Sequence, residues 1–361
     1  MSPSTKEVTT KWRTSASVIL ISKEANKHQD YNLLMLKRSD PTAIVTNQTV
    51  FPGGLLDKAD EDVSWLQYFE EFGVPQEALR RLVLIRDDRP AILAPHTGCY
   101  DRFFKRSHIW SREITLRLTA LRECFEEVGI LLCRSKNELD FGNVALPKEL
   151  PDREAWQRRV HNKPSEFLNL CLELKVVPDL WALHEWSAWA SPPIVRKGYE
   201  TVFFIAFVDT RPSLLDEPSE VKESLWLTPM EFLRLNKLGD LWFLPPQFYE
   251  LSRLAGVGVY ESLLGFATKR SRMGTTMFMP LVYACEGSMV YVLPGDDYYL
   301  PEPQHVDEII SFPGSVDEFG ARSKHLHRYT FGALVQNLEI NIPPPNGHLR
   351  PQRVVNERQK L

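Results

Sequence analysis

Residues 122–130 read RECFEEVGI and place three carboxylates within one short, otherwise apolar segment. Because a helix advances about 100° per residue, Glu123, Glu126 and Glu127 share one side of a predicted helix. The opposite side carries the apolar residues Ile114, Leu118, Leu121, Phe125 and Val128. We therefore predict a helix that packs its apolar stripe on a sheet and points all three acids into one small volume.

Three neighbouring acids repel each other unless protons, cationic side chains or a metal ion intervene. Carboxylate oxygens suit Mg²⁺ or Mn²⁺, which take further oxygen ligands from phosphorylated substrates. A solvated acidic face is the alternative interpretation of such a helix. The residues of the helix alone leave both interpretations open.

The composition is that of a soluble globular protein, with 361 residues, 43% of them apolar and 25% charged. A formal net charge of −4 argues against broad binding to nucleic acid. No apolar run is long enough to span a membrane and the N-terminus has no secretory core, so we expect an intracellular protein. Five cysteines without a CxxC pair indicate neither a disulfide framework nor a zinc site.

The pattern of apolar residues predicts alternating strands and helices. Strands are expected at 16–22 and 31–39, which form a hairpin, at 49–54, and at 186–193 and 199–210. Helices are expected within 63–73, 75–87, 151–174, 228–235 and 245–255. The last ninety residues predict short strands and loops, including a turn at SFPGSVDEFG (311–320). Trp181, Trp186 and Trp189 either hold a planar ligand or belong to the core.

FPGGLLDKAD (51–60), followed by RECFEEVGI, closely resembles the signature of the Nudix hydrolases. That signature is Gly-x5-Glu, a gap of seven residues, and then Arg-Glu-U-x-Glu-Glu-x-Gly-U, where U is apolar. Residues 122–130 match the second half, with Cys124 as the first U. Gly54 matches the first glycine, whereas Asp60 replaces the Glu. Residues 61–121 occupy the gap, which implies a long insertion at little cost in closure entropy.

LLMLKRS (33–39) is similar to the leading segment of the Nudix enzymes that hydrolyse coenzyme A. The long insertion, PPQFYE (245–250) and LPGD (293–296) are similar to the peroxisomal acyl-coenzyme A diphosphatase branch of this family. The resemblance implies an α/β fold, the Nudix α/β/α sandwich with a mixed central sheet. It also implies a Nudix hydrolase domain at 12–270, interrupted by a helical insertion at 61–111. A C-terminal extension at 271–361 is expected to pack on this core.

The resemblance further implies that a metal-bound water attacks a diphosphate, with Mg²⁺ or Mn²⁺ as the cofactor. The expected catalytic residues are Arg122, Glu123, Glu126 and Glu127. Glu126 and Glu127 are expected metal ligands, and Glu123 is either a ligand or the general base. The backbone carbonyl of Gly53 and a late acid, Glu220 with Glu217 and Glu223 as competitors, are expected to complete the metal site. Arg122 is expected to orient a Glu through a bidentate pair.

Coenzyme A or acyl-coenzyme A is the small-molecule substrate that the resemblance implies. Hydrolysis of its diphosphate bond gives 3′,5′-ADP and 4′-phosphopantetheine or its acyl derivative. The predicted substrate-binding residues are Lys37, Arg38, Ser39, Gly54, Asp57 and Asp60. The alternatives are another nucleoside diphosphate derivative, a capped RNA, or an inactive module that only binds nucleotides.

The last three residues, Gln359, Lys360 and Leu361, are similar to the Ser-Lys-Leu address that directs proteins to peroxisomes, except at the first position. Together with the family resemblance, this ending predicts a peroxisomal location and a peroxisomal import receptor as a partner. The cytoplasm or the mitochondrion is the alternative location.

Overall fold

The computed structural model describes residues 12–24, 29–39, 47–94, 111–331 and 335–352. Over these residues the chain forms three sheets, and helices cover both faces of the largest one. Part of the predicted insertion, at 95–110, and the terminal tripeptide, at 359–361, lie outside the described residues. No described helix is long and apolar enough to cross a bilayer.

The strands of the described part are β1 (Trp12–Lys23), β2 (Tyr31–Arg38), β3 (Thr49–Val50), β4 (Gly53–Leu55), β5 (Leu131–Ser135), β6 (Pro147–Lys148), β7 (Val176–Pro178), β8 (His184–Ala190), β9 (Gly198–Val208), β10 (Val221–Leu227), β11 (Met277–Phe278), β12 (Leu281–Glu286), β13 (Ser288–Val292), β14 (Ile310–Ser315), β15 (His327–Phe331) and β16 (Val335–Ile340). The α-helices of this part are α1 (Ser64–Phe72), α2 (Gln76–Arg80), α3 (Arg112–Val128), α4 (Arg153–Asn162), α5 (Glu166–Leu174), α6 (Pro229–Leu238), α7 (Pro245–Leu254), α8 (Tyr260–Arg270) and α9 (Val316–Ala321).

The central sheet has eight strands in the order β10-β2-β1-β9-β8-β11, with β3 paired to β2 and β4 paired to β1. β1 runs parallel to β9, and β11 runs parallel to β8, while the other pairs are antiparallel. The predicted hairpin is confirmed, with Ile21 opposite Leu33. The sheet is therefore mixed, as expected.

Side chains of β1 alternate between two apolar cores, one on each face of the sheet. Val18 and Leu20 pack in the core that contains helices α1, α3, α4 and α5. Ile19 and Ile21 pack in the other core, with helices α6, α7 and α8. Helices on both faces of one sheet confirm the predicted three-layer α/β/α sandwich.

The described residues between the glycine turn and α3, at 56–94, do not merely loop out, because their helices pack into the first core. Helix α1 buries Trp65, Tyr68, Phe69 and Phe72, the spacing of one helix face. The Tyr68 hydroxyl donates to the backbone oxygens of Cys171 and Val176, at 2.8 and 2.7 Å. The two helices predicted in this segment are confirmed, although α2 ends at Arg80.

The C-terminal region is more regular than the sequence suggested, since β12 to β16 form a second sheet in the order β14-β12-β13-β15-β16. The predicted turn at 311–320 is wrong: β14 is followed directly by α9. Ser315 caps this helix and forms a reciprocal capping box with Glu318. A Ser-x-x-Glu pattern is a helix-start signal that the turn prediction overlooked.

The second sheet is attached to the sandwich by its apolar side chains. Tyr329 and Leu338 belong to the same core as Trp189 and Tyr249 of the central layers. The Tyr249 hydroxyl lies 2.8 Å from His327 Nε2, which joins α7 to β15. These contacts agree with an extension packed on the core, while the boundary at 270 stays a prediction.

Candidate functional site

Helix α3 carries the acidic segment through the middle of the molecule. Its residues are buried on every side, and Glu123 alone is partly exposed. The prediction of an amphipathic helix is therefore incomplete. The acidic side is also buried, because β4 and neighbouring loops cover it. The helix ends at Val128, where Gly129 takes a left-handed conformation and its N–H donates to Phe125 O.

The glycine turn brings backbone against two of the acids. Gly53 has a φ of +148°, which side chains rarely adopt, and its N–H donates to Glu127 Oε2 at 2.7 Å. A Cβ atom on Gly54 would lie 2.4 Å from Glu123 Oε2. The lack of a side chain at Gly54 therefore permits the close approach of Glu123 on α3, whereas at Gly53 it permits the close approach of β1, where a Cβ would lie 2.4 Å from Ala16 O.

Arg122 is the hub of the acid cluster. Its Nη1 donates to Glu123 Oε1 at 2.8 Å and to Glu126 Oε1 at 2.7 Å. Its Nε and Nη2 form a bidentate pair with Asp60, at 2.8 and 2.9 Å, and Nη2 also donates to Leu55 O. Arg122 does orient glutamates, but the bidentate partner is Asp60, which fixes the guanidinium plane.

Asp60 supports Arg122 from inside the protein. The residue is only 1% exposed, and its carboxylate also accepts from Thr119 Oγ1 at 2.9 Å. Asp57 caps the short 3-10 helix Lys58–Glu61 and forms a reciprocal capping box with Asp60. The contacts of Asp60 are those of a residue that positions Arg122, and its contact with a substrate stays a prediction. Asp57 likewise has a local role in the turn.

The protonation of the three acids is governed by burial. Burial raises the pKa of Glu123 and of Glu126 to about 7, against the opposing charge of Arg122. Burial raises the pKa of Glu127 well above its ordinary value, Glu123 adds to the shift, and the Gly53 N–H opposes it. A site of this kind favours either protons or a cation between its carboxylates.

A late segment of the chain is hydrogen-bonded to the end of α3. Leu215 N–H donates to Val128 O and Glu217 N–H donates to Glu127 O, both at 2.9 Å. This segment leads to Glu220. Burial raises the pKa of Glu126 and Glu127, and the negative charge of Glu220 raises it further.

The two competing late acids have other partners. Glu217 accepts from the Ser219 hydroxyl in its own turn at 2.8 Å, and Glu223 accepts from Lys37 Nζ at 3.4 Å. Of the three candidates, Glu220 therefore has the environment that best fits the predicted fourth acid.

The predicted phosphate-binding residues lie at the end of β2, beside the late acid. Ser39 N–H donates to Glu220 O at 2.9 Å. The positive charge of Arg38 lowers the pKa of Glu127 against the larger effect of burial. Arg38 therefore lies near enough to Glu127 for their charges to interact, whereas Lys37 contacts Glu223, and phosphate binding by both stays a prediction.

Helix α4 contributes two residues that the sequence analysis missed. The buried Gln157 amide donates from Nε2 to Glu126 O at 2.9 Å and to Leu215 O at 2.7 Å. One turn later, His161 Nδ1 lies 3.6 Å from Glu220 Oε1. Nothing in the local pattern signals these long-range contacts, because Gln157 and His161 read as ordinary polar positions of a surface helix.

The tryptophan-rich segment belongs to the core. Trp181, Trp186 and Trp189 are at most 8% exposed. The indole N–H groups of Trp186 and Trp189 each donate to Glu250, at 2.9 Å. The planar-ligand alternative is therefore wrong for these residues.

The acid cluster fits a hard divalent cation by the chemistry of its donors. Its carboxylate oxygens are the ligands that such ions prefer, and burial together with the neighbouring acids raises their pKa values. Arg122 holds one oxygen each of Glu123 and Glu126. Among the described residues, no three Asp, Glu, His or Cys side chains form a ready-made coordination group.

The sequence pattern that describes the NUDT19 Nudix domain family matches residues 12–254, which is more than half of the chain. The chain belongs to the NUDT19 Nudix domain family. This match spans the glycine turn, the acidic helix and the late acid, so the family resemblance inferred from the two signature halves is confirmed. The match ends with helix α7.

The chain is similar over nearly its whole length to several relatives. It is 31% identical to "Acyl-coenzyme A diphosphatase NUDT19" of Xenopus laevis, over 92% of this chain and 89% of the relative. The proteins of the same name from Gallus gallus and Homo sapiens are 33% and 29% identical, over 94% and 100% of both chains.

The fold also has a counterpart among solved structures. A NUDIX hydrolase from Alicyclobacillus acidocaldarius superposes with a TM-score of 0.51, at 19% identity, over 70% of this chain and 96% of that chain. This likeness supports the Nudix architecture assigned from the sheet order and the two layers of helices.

Proposed function

We propose that the chain hydrolyses the diphosphate bond of coenzyme A and acyl-coenzyme A, giving 3′,5′-ADP and 4′-phosphopantetheine or its acyl derivative. One observation carries the proposal: an intact cluster of Glu123, Glu126 and Glu127 around Arg122, in a chain similar over nearly its full length to acyl-coenzyme A diphosphatases. An inactive binding module has no need for three buried acids, which are costly to keep ionised.

In the proposed reaction, water adds across the diphosphate: its oxygen bonds to one phosphorus, and the bond from that phosphorus to the bridging oxygen breaks. A divalent cation, when bound, activates the water and neutralises charge on the leaving phosphate. Glu126, Glu127 and Glu220 are the residues that would hold this cation. Either Mg²⁺ or Mn²⁺ suits these oxygen donors.

Arg122 keeps Glu123 and Glu126 at a fixed distance from each other through its Nη1, and Asp60 prevents the guanidinium from turning. We assign proton acceptance to Glu123. Its side chain is 13% exposed, against 8% for Glu126, so water reaches it most readily. A pKa of about 7 suits a general base at neutral pH.

For the substrate, Lys37 and Arg38 supply positive charge beside the acid cluster, where the diphosphate must lie. The Ser39 N–H is already used by Glu220 O, so its hydroxyl is the group we assign to the substrate. Gly54 leaves room for the Glu123 carboxylate against the glycine turn, which keeps this acid beside the proposed position of the scissile phosphate.

The test is product analysis by mass spectrometry after incubation with Mg²⁺ and, separately, coenzyme A, NADH, ADP-ribose and a capped RNA. Preferential formation of 3′,5′-ADP and phosphopantetheine, reduced at least about a hundredfold in Glu127→Gln, is the expected result. Glu71→Gln, on the exposed face of α1, is the matched control and should retain full activity. Turnover of another substrate alone would overturn the coenzyme A assignment. The absence of metal-dependent turnover of all four substrates would overturn the proposal that the chain is an enzyme.

We also propose a peroxisomal location, reached through an import receptor, on the basis of the family resemblance. Fluorescent fusions at the N-terminus and at the C-terminus test this location. A punctate pattern for the N-terminal fusion that coincides with a peroxisomal marker is expected, and identical diffuse patterns for the two fusions would contradict it.

A further inference from the structure

Three residues of neighbouring segments, Arg38, Gln48 and Trp242, are paired side by side at one end of the central sheet. Arg38 N–H donates to Gln48 O at 2.9 Å, which continues the antiparallel pairing of β2 with β3. Trp242, between α6 and α7, pairs with Gln48 as a parallel bridge. Its N–H donates to Asn47 O at 3.0 Å, and its carbonyl accepts from Thr49 N–H at 2.8 Å. The three backbones therefore lie in one sheet, with Gln48 in the middle.

The side chains of this trio point to the face of the sheet that α3 covers. Successive side chains of a strand point to opposite faces, and directly paired residues share a face. Leu36, two residues before Arg38, packs in the core that contains α3. Leu241 and Phe243, on either side of Trp242, both pack in the other core. The ring of Trp242 therefore points to the same face as the Arg38 guanidinium, which is the face of the acid cluster.

This end of the face reaches solvent beside the acid cluster. Val50, two residues after Gln48, still packs against the first core. Gln48 and Trp242 are partly exposed, and Arg38 is exposed. Arg38 also lies near enough to Glu127 for their charges to interact. Neighbouring strands are about 4.8 Å apart, so the backbone of Trp242, two positions across the sheet, lies roughly 10 Å from that of Arg38.

We propose that Trp242 and Gln48 bind the adenine base of the substrate, with the base stacked on the indole ring. This inference rests on the proposed function. A diphosphate held between the acid cluster and Arg38 has its ribose and base next in line, and the exposed face leads from Arg38 to Trp242. An indole offers a large flat surface for a purine, and the Gln48 amide has the donor and acceptor that pair with an adenine edge. The flexible pantetheine arm has no planar ring that could stack in this way.

Calorimetric binding of the two expected products, 3′,5′-ADP and 4′-phosphopantetheine, tests the base site without turnover, because only the first product carries the base. Trp242→Leu should weaken the binding of 3′,5′-ADP by about fivefold or more, the loss of one stacked base, and leave that of 4′-phosphopantetheine unaltered. Trp242→Phe keeps an aromatic face and should recover much of the affinity. The wild type should also prefer 5′-AMP to 5′-IMP, and Gln48→Leu should reduce that preference by about threefold to tenfold, because the amide no longer distinguishes the two base edges.

Tyr199→Leu is the matched control, because Tyr199 is an exposed aromatic residue on the opposite face of the same sheet, in line with Phe203 of the second core. It should leave the affinity for both products unaltered. An unchanged affinity of Trp242→Leu for 3′,5′-ADP, or an equal loss for both products, would overturn the base site. A loss for 4′-phosphopantetheine alone would overturn it too, and would assign Trp242 to the pantetheine arm. If Trp242→Leu does not fold, the preference for 5′-AMP in Gln48→Leu decides, and an unchanged preference overturns the proposal.

A turnover measurement separates this proposal from the function on which it rests. In Trp242→Leu, KM for coenzyme A should rise by about fivefold or more while kcat stays within about twofold of the wild type, because the base is bound equally in the ground state and the transition state. Turnover with an unaltered KM in this variant would overturn the base site while keeping the diphosphatase. Absence of turnover in the wild type would overturn the diphosphatase, and the calorimetric comparison would then decide the base site by itself.

Discussion

At the scale of single residues, the two adjacent glycines of the turn have different tasks. A Cβ on Gly53 would meet backbone, 2.4 Å from Ala16 O and 2.5 Å from Ser17 Cα, at a φ of +148°. A Cβ on Gly54 would meet only the end of the Glu123 side chain. The first contact cannot relax without moving β1, whereas the second relaxes by displacing a carboxylate.

We therefore predict that Gly53→Ala lowers the free energy of unfolding by about 3 kcal/mol or more, through strain and clash. Gly54→Ala should melt close to the wild-type temperature but lose about a hundredfold in kcat, because Glu123 is displaced. Calorimetry and steady-state kinetics on both variants check this. The prediction fails if Gly54→Ala is as unstable as Gly53→Ala, or if it keeps the wild-type kcat.

The acids themselves predict a dependence of stability on pH. The pKa values of Glu123 and Glu126 are raised to about 7 in the folded protein, mainly by burial, from the ordinary value of 4.5. Between those values the folded state binds more protons than the unfolded state. The free energy of unfolding contributed by these groups therefore falls as pH rises from about 4.5 to about 7 and stays low above it.

A divalent cation that replaces these protons should reverse the loss. We expect excess Mg²⁺ or Mn²⁺ to raise the melting temperature more at pH 8 than at pH 5, because the carboxylates must be ionised to bind it. Melting curves with and without the ion, for the wild type and for Glu123→Gln combined with Glu126→Gln, measure the effect. An equal metal-induced shift at both pH values, or in the double variant, would count against a metal at these acids.

At the scale of elements, α4 holds two parts of the site together through one side chain. Gln157 is 3% exposed, and its amide joins Glu126 O of α3 to Leu215 O of the segment that leads to Glu220. Replacement by leucine would leave two backbone oxygens without these donors. The late segment would then be held to α3 by its backbone bonds alone.

Gln157→Leu should lower the free energy of unfolding by about 1–3 kcal/mol and reduce kcat, because Glu220 loses its fixed distance from Glu126. Gln157→Glu is the companion variant, because it keeps the shape of the side chain but places an acceptor against two oxygens. It should lower the free energy of unfolding and kcat at least as much as Gln157→Leu. Thermal melts and kcat report the two effects. A loss of stability with unchanged kcat would mean that the contact is structural only.

The elements also show what the sequence was able to predict. Strand alternation and helix periodicity predicted the hairpin of β1 and β2, the buried β8 and β9, and α6 with its Thr228 cap. These features depend on neighbours in sequence. The late pairing of β1 with β9 and the contact of Gln157 with α3 join residues far apart in the chain, and no local pattern encodes them.

The residues of the site also fall into those that local sequence predicts and those that it does not. The Gly turn and the three glutamates were predictable because their spacing is fixed by one turn and one helix. The burial of Asp60 under Arg122 was not, since an acid in a polar loop gives no sign that a helix 62 residues away will cover it. Helix α9 was missed although its Ser315–Glu318 capping box is a local signal.

At the scale of the whole molecule, one apolar core joins the Nudix sandwich to the C-terminal sheet. Trp189, Tyr249 and Phe278 pack with ring centroids 5.0–5.5 Å apart, and His327 of β15 lies against them. Burial lowers the pKa of His327 to about 4, so it is neutral at physiological pH and its ring nitrogens bond Tyr249 Oη and Pro294 O.

This shared core predicts that the two regions unfold together. Tyr249→Phe removes the partner of His327 Nε2 inside the core and should cost about 1–3 kcal/mol of unfolding free energy. Because the core is continuous, the whole calorimetric transition should move to lower temperature without splitting. Tyr283→Phe, which removes a bond from β12 to Tyr298 O in the loop that follows β13 in the C-terminal region, is the matched deletion of a hydroxyl group.

Hydrogen exchange of the amides in β8 and in β13 separates the possibilities, since each strand reports on one region. For a single cooperative unit, Tyr249→Phe accelerates exchange in both strands by the same factor, because both open only through global unfolding. If the extension were an independent domain, only β13 would respond to Tyr283→Phe, and β8 would keep its wild-type rate. That second outcome would contradict the shared core and would place a domain boundary at the end of α8.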